Sequence, residues 1–174
     1  MKLSKKILIS FTLGLCINPA FADQNFFNAT EISAKKGDMT AQYNLGVMYA
    51  NGQGVTQNYS KAFEWYSRAA AQGDADAQYR LGLMYASGQG VTQNYSKAFE
   101  WYSKAAAQGD ALVQNRLGVM YANGQGVTQN YSKAFEWYNK AAAQGDMTAQ
   151  HNLGKMFAKG LGVSQNDIKA FEWV

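Results

Sequence analysis

The chain has 174 residues, of which 47% are hydrophobic, and its formal net charge is +4. Three of its 16 basic residues and none of its 12 acidic residues lie in the first 22 positions, so the remaining 13 basic residues exceed the acidic ones by only one. A charge this small argues against a nucleic-acid-binding protein, which needs a strong positive patch. The single cysteine, Cys16, excludes a disulfide framework.

Residues 1–22 have the pattern of a secretory signal peptide. The basic start, the apolar run and the small-residue cleavage pattern are, in that order, Lys2, Lys5 and Lys6, then Ile7–Ile17, then Ala20-Phe21-Ala22. This order predicts export and cleavage after Ala22, and the apolar run is too short to span a membrane. The mature protein is therefore expected to be periplasmic or secreted, and the leader is typical of bacteria. Lipidation at Cys16 is a less favoured alternative, because the preceding Leu15 is bulky.

Residues 23–37 align with the second half of a unit that recurs further along the chain. Its apolar and glycine positions fall one period of 36 residues before those of the next unit, in the pairs Phe27 and Phe63, Ala34 and Ala70, and Gly37 and Gly73. Lys35 and Lys36 replace apolar or neutral residues of the later copies. The segment is predicted to be an N-terminal capping helix with a polar outer face, which a stacked array needs for solubility.

From Asp38 onward, one unit of 36 residues recurs. Its glycine and tryptophan positions stay in step, at Gly46, Gly82, Gly118 and Gly154 and at Trp65, Trp101, Trp137 and Trp173. Self-similarity at a fixed period of this size is typical of stacked repeat arrays. The predicted units are residues 38–73, 74–109 and 110–145, followed by a partial fourth unit at 146–174.

Each unit contains two helix-sized patterns, as the second unit illustrates. Asp74 is the predicted N-cap of the first helix. The second helix is expected from Tyr95 to about Ala107, with Asn94 as N-cap and Gly109 as the left-handed residue that ends it. Apolar residues recur at helical spacing, at Ala77, Leu81, Met84 and Tyr85 in the first helix and at Ala98, Trp101, Tyr102, Ala105 and Ala106 in the second. Helices this short are marginal alone, so the pairs must stack into an all-α solenoid of helix–loop–helix repeats.

Three further features of the unit lead to specific expectations. Gly82 lies inside the first helix, where it costs about 1 kcal/mol relative to alanine, so we expect the second helix to approach closely there. Gly88 and Gly90 are predicted to end the first helix and to adopt positive φ in the loop. Glu100 precedes Lys104 by four residues, which favours an exposed ion pair.

Residues 81–109 of the second unit resemble a Sel-1-like repeat, a tetratricopeptide-like motif. Their sequence is LGLMYASGQGVTQNYSKAFEWYSKAAAQG. It contains the signature elements L-G-x-x-Y, G-x-G-V and K-A-x-x-W-Y-x-x-A-A-x-x-G, and the match extends over residues 38–174. The resemblance implies a right-handed α-solenoid whose first helices line the concave surface. It also implies a non-enzymatic role as an adaptor or scaffold in protein–protein contacts.

Two alternatives to a scaffold remain open from the sequence. Cysteine-rich members of the family have been linked to β-lactam binding or hydrolysis, which suggests an envelope enzyme acting on β-lactams or cell-wall peptides. The predicted mature chain contains no cysteine, and this counts against that subgroup. The other alternative is a spacer that has no specific ligand.

The residues that carry catalytic or metal chemistry elsewhere do not converge in this sequence. His151 is the single histidine, and we expect it to be a solvent-facing helix residue. One glutamate recurs per unit, at Glu64, Glu100, Glu136 and Glu172, whereas catalytic carboxylates work in converging pairs. The paired loop glycines lack the Lys-Ser/Thr of a phosphate-binding loop. The sequence therefore predicts no catalytic residues, no cofactor and no metal.

The copies differ from one another mainly in their first helices. One slot contains Tyr43, Tyr79, Asn115 and His151, and the next slot contains Asn44, Arg80, Arg116 and Asn152. We predict a partner-binding groove formed by Tyr43, Tyr79, Arg80, Asn115, Arg116 and His151. Arginines suit carboxylates of a partner, and tyrosines suit interface anchors. The alternative is that these slots vary because little constrains them.

The sequence stops within the second helix of the fourth unit. We expect this chain to leave Phe171 and Trp173 exposed there. Either the chain continues beyond Val174, or a second copy covers these two side chains. Self-association through this helix is therefore an alternative partner mode, beside a protein or peptide of unknown identity.

Overall fold

A computed structural model describes residues 19–173, with side chains from residue 23 onward. Most of the predicted signal peptide, residues 1–18, lies outside the described residues. Within them the chain forms nine α-helices, which are α1 (Pro19–Lys35), α2 (Met39–Asn51), α3 (Tyr59–Ala71), α4 (Ala75–Ser87), α5 (Tyr95–Ala106), α6 (Ala111–Asn123), α7 (Tyr131–Ala142), α8 (Met147–Lys159) and α9 (Asp167–Glu172).

The helices stack in sequence order, each against the one before and the one after it. Helices α2, α4, α6 and α8 are the first helices of the four units, and α3, α5, α7 and α9 are the second helices. The core runs through the stack as three neighbouring clusters of buried apolar side chains. The prediction of an all-α solenoid of stacked helix pairs is confirmed.

The helix ends follow from the capping residues. Asp74 accepts a hydrogen bond from the backbone N–H of Ala77 at 2.8 Å, and Asn94 accepts one from Lys97 at 3.0 Å. Both satisfy first-turn amides that have no partner within the helix. The predicted N-caps are therefore confirmed. Gly109 has φ +101°, although α5 already ends at Ala106.

The glycine inside each first helix makes room for a tyrosine of the second helix. A Cβ atom on Gly82 would lie 2.5 Å from the ring of Tyr102, which is closer than any packed side chain tolerates. The corresponding pairs in the neighbouring units are Gly46 with Tyr66 and Gly118 with Tyr138. The expected close approach of the two helices is confirmed.

The second loop glycine has an additional role that the sequence did not indicate. Gly90 has φ +72°, as predicted, and a Cβ on it would also meet the backbone of Tyr59 at 2.5 Å. Tyr59 begins the second helix of the preceding unit. The loop of each unit therefore packs on the helix that precedes that unit, near the start of this helix. The further pairs are Gly54 and Asp23, Gly126 and Tyr95, and Gly162 and Tyr131.

Helix α1 occupies the place of a second helix that precedes the first unit. The ring of Phe27 lies edge-on to that of Tyr49, with centroids 5.6 Å apart. The same edge-on contact joins Phe63 to Tyr85, and it recurs for Phe99 with Tyr121 and Phe135 with Phe157. The N-terminal helix thus covers the first unit as each later second helix covers the next unit.

A buried glutamine also connects successive units. Gln78 is 6% exposed and donates to the carbonyl of Ala70, at the end of the preceding second helix, at 3.3 Å. It accepts from Gln108 at 3.0 Å, and Gln108 also donates to the carbonyl of Gly73 at 2.9 Å. These bonds satisfy polar groups that would otherwise be costly to bury.

The structure describes both Glu100 and Lys104, and the prediction that they form an ion pair is wrong. The Nζ atom of Lys104 lies 4.2 Å from the centroid of the Trp101 ring instead. The same arrangement places Arg68 over Trp65 and Lys140 over Trp137. The aromatic ring attracts the cation and shields its aliphatic stem, whereas an exposed ion pair contributes little.

Candidate functional site

The predicted site residues all lie on first helices. We use the name first-helix face for the surface formed by the outward sides of α2, α4, α6 and α8. Arg80, Arg116 and His151 are exposed on it, and Tyr43, Tyr79 and Asn115 are half-buried. His151 faces solvent as expected.

At the junction of the first two units, the structure brings three of these side chains into one cluster with a core tyrosine. The rings of Tyr43 and Tyr66 lie 5.7 Å apart and tilted by 44°. Burial on its own lowers the pKa of Arg80, but the hydrogen bond that its guanidinium donates to Tyr43 and the neighbouring hydroxyls, including that of Tyr79, raise this pKa overall. Burial raises the pKa of Tyr66 to about 12, although Arg80 opposes that shift. Arg80 is thus held against tyrosines contributed by both units.

The second junction repeats this chemistry in part. Tyr79 and Tyr102 have ring centroids 5.8 Å apart at the same 44° tilt. Burial raises the pKa of Tyr102 to about 12, and the positive charge of Arg116 acts in the opposite direction. The first two junctions of the first-helix face therefore each combine two tyrosines with one arginine.

The third junction has different chemistry. Asn152 donates a hydrogen bond from Nδ2 to Oδ1 of Asn115 at 3.2 Å. Burial raises the pKa of Tyr138 to about 12 here, without an arginine nearby. Two amides replace the tyrosine and arginine, and His151 lies apart from this contact, beside Lys155 at the end of the stack.

A regular offset relates these contacts, and the sequence comparison missed it. Tyr43 meets Arg80, and Asn115 meets Asn152, each 37 residues later. Comparing the same slot in successive copies does not reveal this, because the contact runs from one slot to the next slot of the following unit. A comparison of each slot with the neighbouring slot of the following unit could have identified these contacts from the sequence.

Depressions lie along the first-helix face between neighbouring units. One, of about 230 Å³, is lined by Tyr43, Asp76, Tyr79, Arg80 and Leu112 among others. A second, of about 290 Å³, lies further along the same pair of first helices, α4 and α6. It is lined by Leu83, Ala86, Tyr95, Tyr102, Arg116 and Met120 among others. A third, of about 210 Å³, contains Tyr131, Tyr138, Asn152, Lys155 and Met156, which are the same slots one unit later or their neighbours.

A further depression of about 300 Å³ lies where α8 meets α9, at the end of the described chain. His151, Gly154 and Lys155 form one side, and Phe171 forms part of the other. Phe171 is 85% exposed, as expected. The expectation for Trp173 is wrong, because this side chain is half-buried and packs against the last core cluster.

The described residues contain no group of three or more histidine, cysteine, aspartate or glutamate side chains placed to hold a metal ion. The recurring glutamates are exposed on successive second helices, at Glu64, Glu100, Glu136 and Glu172. In the part of the chain that the structure describes, no helix is both long and apolar enough to cross a membrane.

The Sel1 repeat model matches the chain at residues 40–74, 75–110, 111–146 and 148–174. Among solved structures, the chain is similar to a protective antigen present in uropathogenic Escherichia coli strains that displays an SLR fold. Sequence identity is 41%, the TM-score is 0.81, and the match covers 84% of this chain and 31% of that one. Among curated protein sequences, none matches the chain significantly.

A Sel1 repeat protein from Oxalobacter formigenes is 33% identical with a TM-score of 0.80, over 88% of this chain and 64% of that one. The cysteine-rich protein B of Helicobacter pylori is 23% identical with a TM-score of 0.58, over 75% of this chain and 93% of that one, and it shows a shared fold only. The chain thus spans about a third of the E. coli antigen and less than two thirds of the Oxalobacter protein.

Proposed function

Since the chain belongs to the Sel1 repeat family, whose members are commonly protein-interaction scaffolds, we propose that it is an exported, non-enzymatic scaffold. In this proposal a partner protein binds along the first-helix face. Sel1 repeat proteins are generally non-enzymatic, and the recurring glutamates of this chain are spread over successive units instead of converging.

The observation that carries the proposal is the contrast between the two sides of each unit. The inter-unit packing repeats nearly unchanged, as in the edge-on contacts of Phe63 with Tyr85 and of Phe99 with Tyr121. The side chains of the first-helix face differ from junction to junction, and depressions of 210 to 290 Å³ lie along it. Depressions with apolar walls and a few polar groups are typical of binding surfaces.

Export is part of the same proposal. The basic start, apolar run and small-residue pattern of residues 1–22 favour a signal peptide. The relative from uropathogenic E. coli is a protective antigen, and this supports a protein located outside the cytoplasm. Periplasmic and secreted locations both fit.

The experiment that tests the binding face uses a photo-crosslinking amino acid in place of single exposed residues. One variant has the probe at Leu112, which lines a depression of the first-helix face. The matched control has it at Ser132, which is exposed on the second helix α7. Both purified variants are irradiated in an envelope extract of the source bacterium, and the products are identified by mass spectrometry.

The proposal expects a defined protein to crosslink to the probe at Leu112 and not to the probe at Ser132. Capture only from Ser132, or equal capture from both positions, would show that the first-helix face is not the binding surface. A protein that stays in the cytoplasmic fraction of its own bacterium, with residues 1–22 intact, would refute export.

A further inference from the structure

The walls of the depressions combine an exposed tyrosine with apolar side chains. In the depression between α4 and α6, Tyr95 is 41% exposed and stands beside Leu83 and Met120. Gln93 donates a hydrogen bond to the hydroxyl of Tyr95 at 3.3 Å and fixes the position of the ring. An exposed, held aromatic ring beside apolar atoms is a surface on which proline rings pack well.

The same arrangement returns one unit later. Gln129 donates to the hydroxyl of Tyr131 at 3.1 Å, and Tyr131 lines the next depression together with Tyr138 and Met156. A partner segment that lies along the face therefore meets an equivalent aromatic wall in each unit that it crosses.

Among the first helices, α6 and α8 carry a net positive charge, whereas α2 and α4 are neutral overall. Four basic residues and one acidic residue belong to α2, α4, α6 and α8, and these are Arg80, Arg116, Lys155, Lys159 and Asp76. Arg116 is the charged residue that lines the depression between α4 and α6, and Lys155 is the charged residue that lines the equivalent depression one unit later. Arg80 lines a depression that Asp76 and Asp110 also line, so its charge is offset and Arg116 and Lys155 are the stronger positions.

The basic residues of the second helices are placed differently. Lys97 lies over the ring of Tyr85 at 5.4 Å, and Lys104 lies over Trp101 at 4.2 Å. Each of these helices also contains a glutamate. Among the described residues, the depressions of Arg116 and Lys155 are lined by a cation and by no acidic side chain, so an acidic partner segment complements these two depressions.

The spacing of the units specifies the conformation of such a partner. Packed helices lie about 8 to 10 Å apart, and the 3.2 Å contact of Asn115 with Asn152 shows that neighbouring first helices lie within side-chain reach. A polyproline-II segment advances about 9 Å per turn of about three residues. It presents every third side chain on one side, whereas a β-strand alternates sides and turns residues three apart to opposite faces.

We propose that the first-helix face binds an acidic protein segment in the polyproline-II conformation, with a carboxylate at every third residue. Carboxylates of the segment lie opposite Arg116 and Lys155, and the prolines between them pack on Tyr95 and Tyr131. This inference rests on the proposed scaffold function and specifies the chemistry of the partner.

The test measures binding of fluorescently labelled peptides to the purified protein by anisotropy. The main peptide repeats the triplet Glu-Pro-Pro. Three comparison peptides of equal length repeat Gln-Pro-Pro, repeat Glu-Pro, or contain the same glutamates in a helix-forming alanine background. A labelled single-stranded oligonucleotide of equal charge is the fourth comparison. Each titration is run at low and at high ionic strength.

The Glu-Pro-Pro peptide is expected to bind best, and its affinity is expected to fall at high ionic strength. Replacing both cations, in the variant Arg116→Gln with Lys155→Gln, should weaken binding of this peptide at least about tenfold. The control variant Lys97→Gln with Lys133→Gln removes the same charge from the second helices and should leave the affinity unchanged. In the reversed variant, Arg116→Glu with Lys155→Glu, a Lys-Pro-Pro peptide should bind in place of the acidic one.

Several outcomes would overturn the inference. Equal binding of the Gln-Pro-Pro peptide would exclude the role of the carboxylates, and equal binding of the Glu-Pro or helical peptides would exclude the spacing argument. Tighter binding of the oligonucleotide would indicate a nucleic-acid surface. If no peptide binds while a protein still crosslinks at Leu112, the acidic-segment inference fails and the scaffold proposal stands. If the crosslink is also absent, the scaffold proposal fails with it.

Discussion

The inter-unit core and the first-helix face follow opposite rules within one chain. In the core, the same contact recurs at each junction, as in the edge-on packing of Phe63 on Tyr85 and of Phe99 on Tyr121. On the face, the Tyr43–Arg80 contact of the first junction becomes Asn115–Asn152 at the third. The difference shows which positions the stack needs in order to form and which positions are available for recognition. Changes in the core should therefore alter stability, and changes on the face should alter binding.

The largest loss of stability is expected from Gly82→Ala. Alanine favours a helix by about 1 kcal/mol over glycine, but its Cβ would lie 2.5 Å from the ring of buried Tyr102. Overpacking of this kind costs about 1–3 kcal/mol, and two atoms this close exceed the usual case. We expect a net loss of about 2 kcal/mol, measured by urea unfolding.

The control for this prediction is Gly109→Ala, which meets no atom within 4 Å but has φ +101°. It should lose about 1 kcal/mol through backbone strain alone. Stabilisation by Gly82→Ala would contradict the close-approach account of the core.

A smaller loss is expected from Gln114→Leu. Gln114 is buried, accepts a hydrogen bond from Gln144 at 2.9 Å and donates to the carbonyl of Ala106 at 3.4 Å. Leucine removes both bonds, and since each hydrogen bond contributes about 0.5–1.5 kcal/mol net, we expect a loss of about 1 kcal/mol. Gln150→Leu changes the same slot one unit later, where the side chain is only half-buried and its bond to Ala142 is 3.5 Å. The loss for Gln150 should be clearly smaller, and equal losses would contradict the role of burial.

Stability should also fall at alkaline pH because of three buried tyrosines. Burial raises the pKa values of Tyr66, Tyr102 and Tyr138 from 10.0 to about 12. A raised pKa means that the folded state favours the neutral hydroxyl, so this contribution is complete below pH 10 and is lost as the pH rises towards 12. The melting temperature should fall across this window, and tyrosinate absorbance should show these groups ionising after the exposed tyrosines. Ionisation of all tyrosines near pH 10 without loss of structure would contradict the burial of the three rings.

The smallest effect on stability is expected from Arg116→Gln on the first-helix face. Arg116 is exposed, and surface substitutions of this kind change stability by about 0.5 kcal/mol or less. Its chemical-unfolding midpoint should match that of the unaltered protein within error. A loss as large as that of Gln114→Leu would assign Arg116 to the core instead of to recognition.

Much of the fold could be predicted from the sequence, because helix caps and helix packing within one unit follow local rules. The caps at Asp74 and Asn94 and the close approach at Gly82 follow from residue type and position within one unit. The backbone contact of Gly90 with Tyr59 and the bond from Gln108 to the carbonyl of Gly73 join different units. Periodicity establishes that units stack but does not specify which side chains meet across the interface, so these contacts could not be derived.

The candidate site was only partly predictable for the same reason. Variation among copies identified the slots of Tyr43 and Arg80, but their contact depends on the offset between neighbouring first helices. The ion pair expected from Glu100 to Lys104 failed because a nearby tryptophan ring competes for the cation, and spacing rules for isolated helices omit such neighbours.

The most direct test of the division between core and face is to transfer the first junction onto the third. The variant Asn115→Tyr with Asn152→Arg places a tyrosine and an arginine where the two amides now meet. Unfolding free energy and affinity for the Glu-Pro-Pro peptide are measured on the same preparation. The account predicts a stability change of about 0.5 kcal/mol or less together with at least about fivefold tighter binding. A marked loss of stability, or an unchanged affinity, would contradict the claim that these slots serve recognition and not folding.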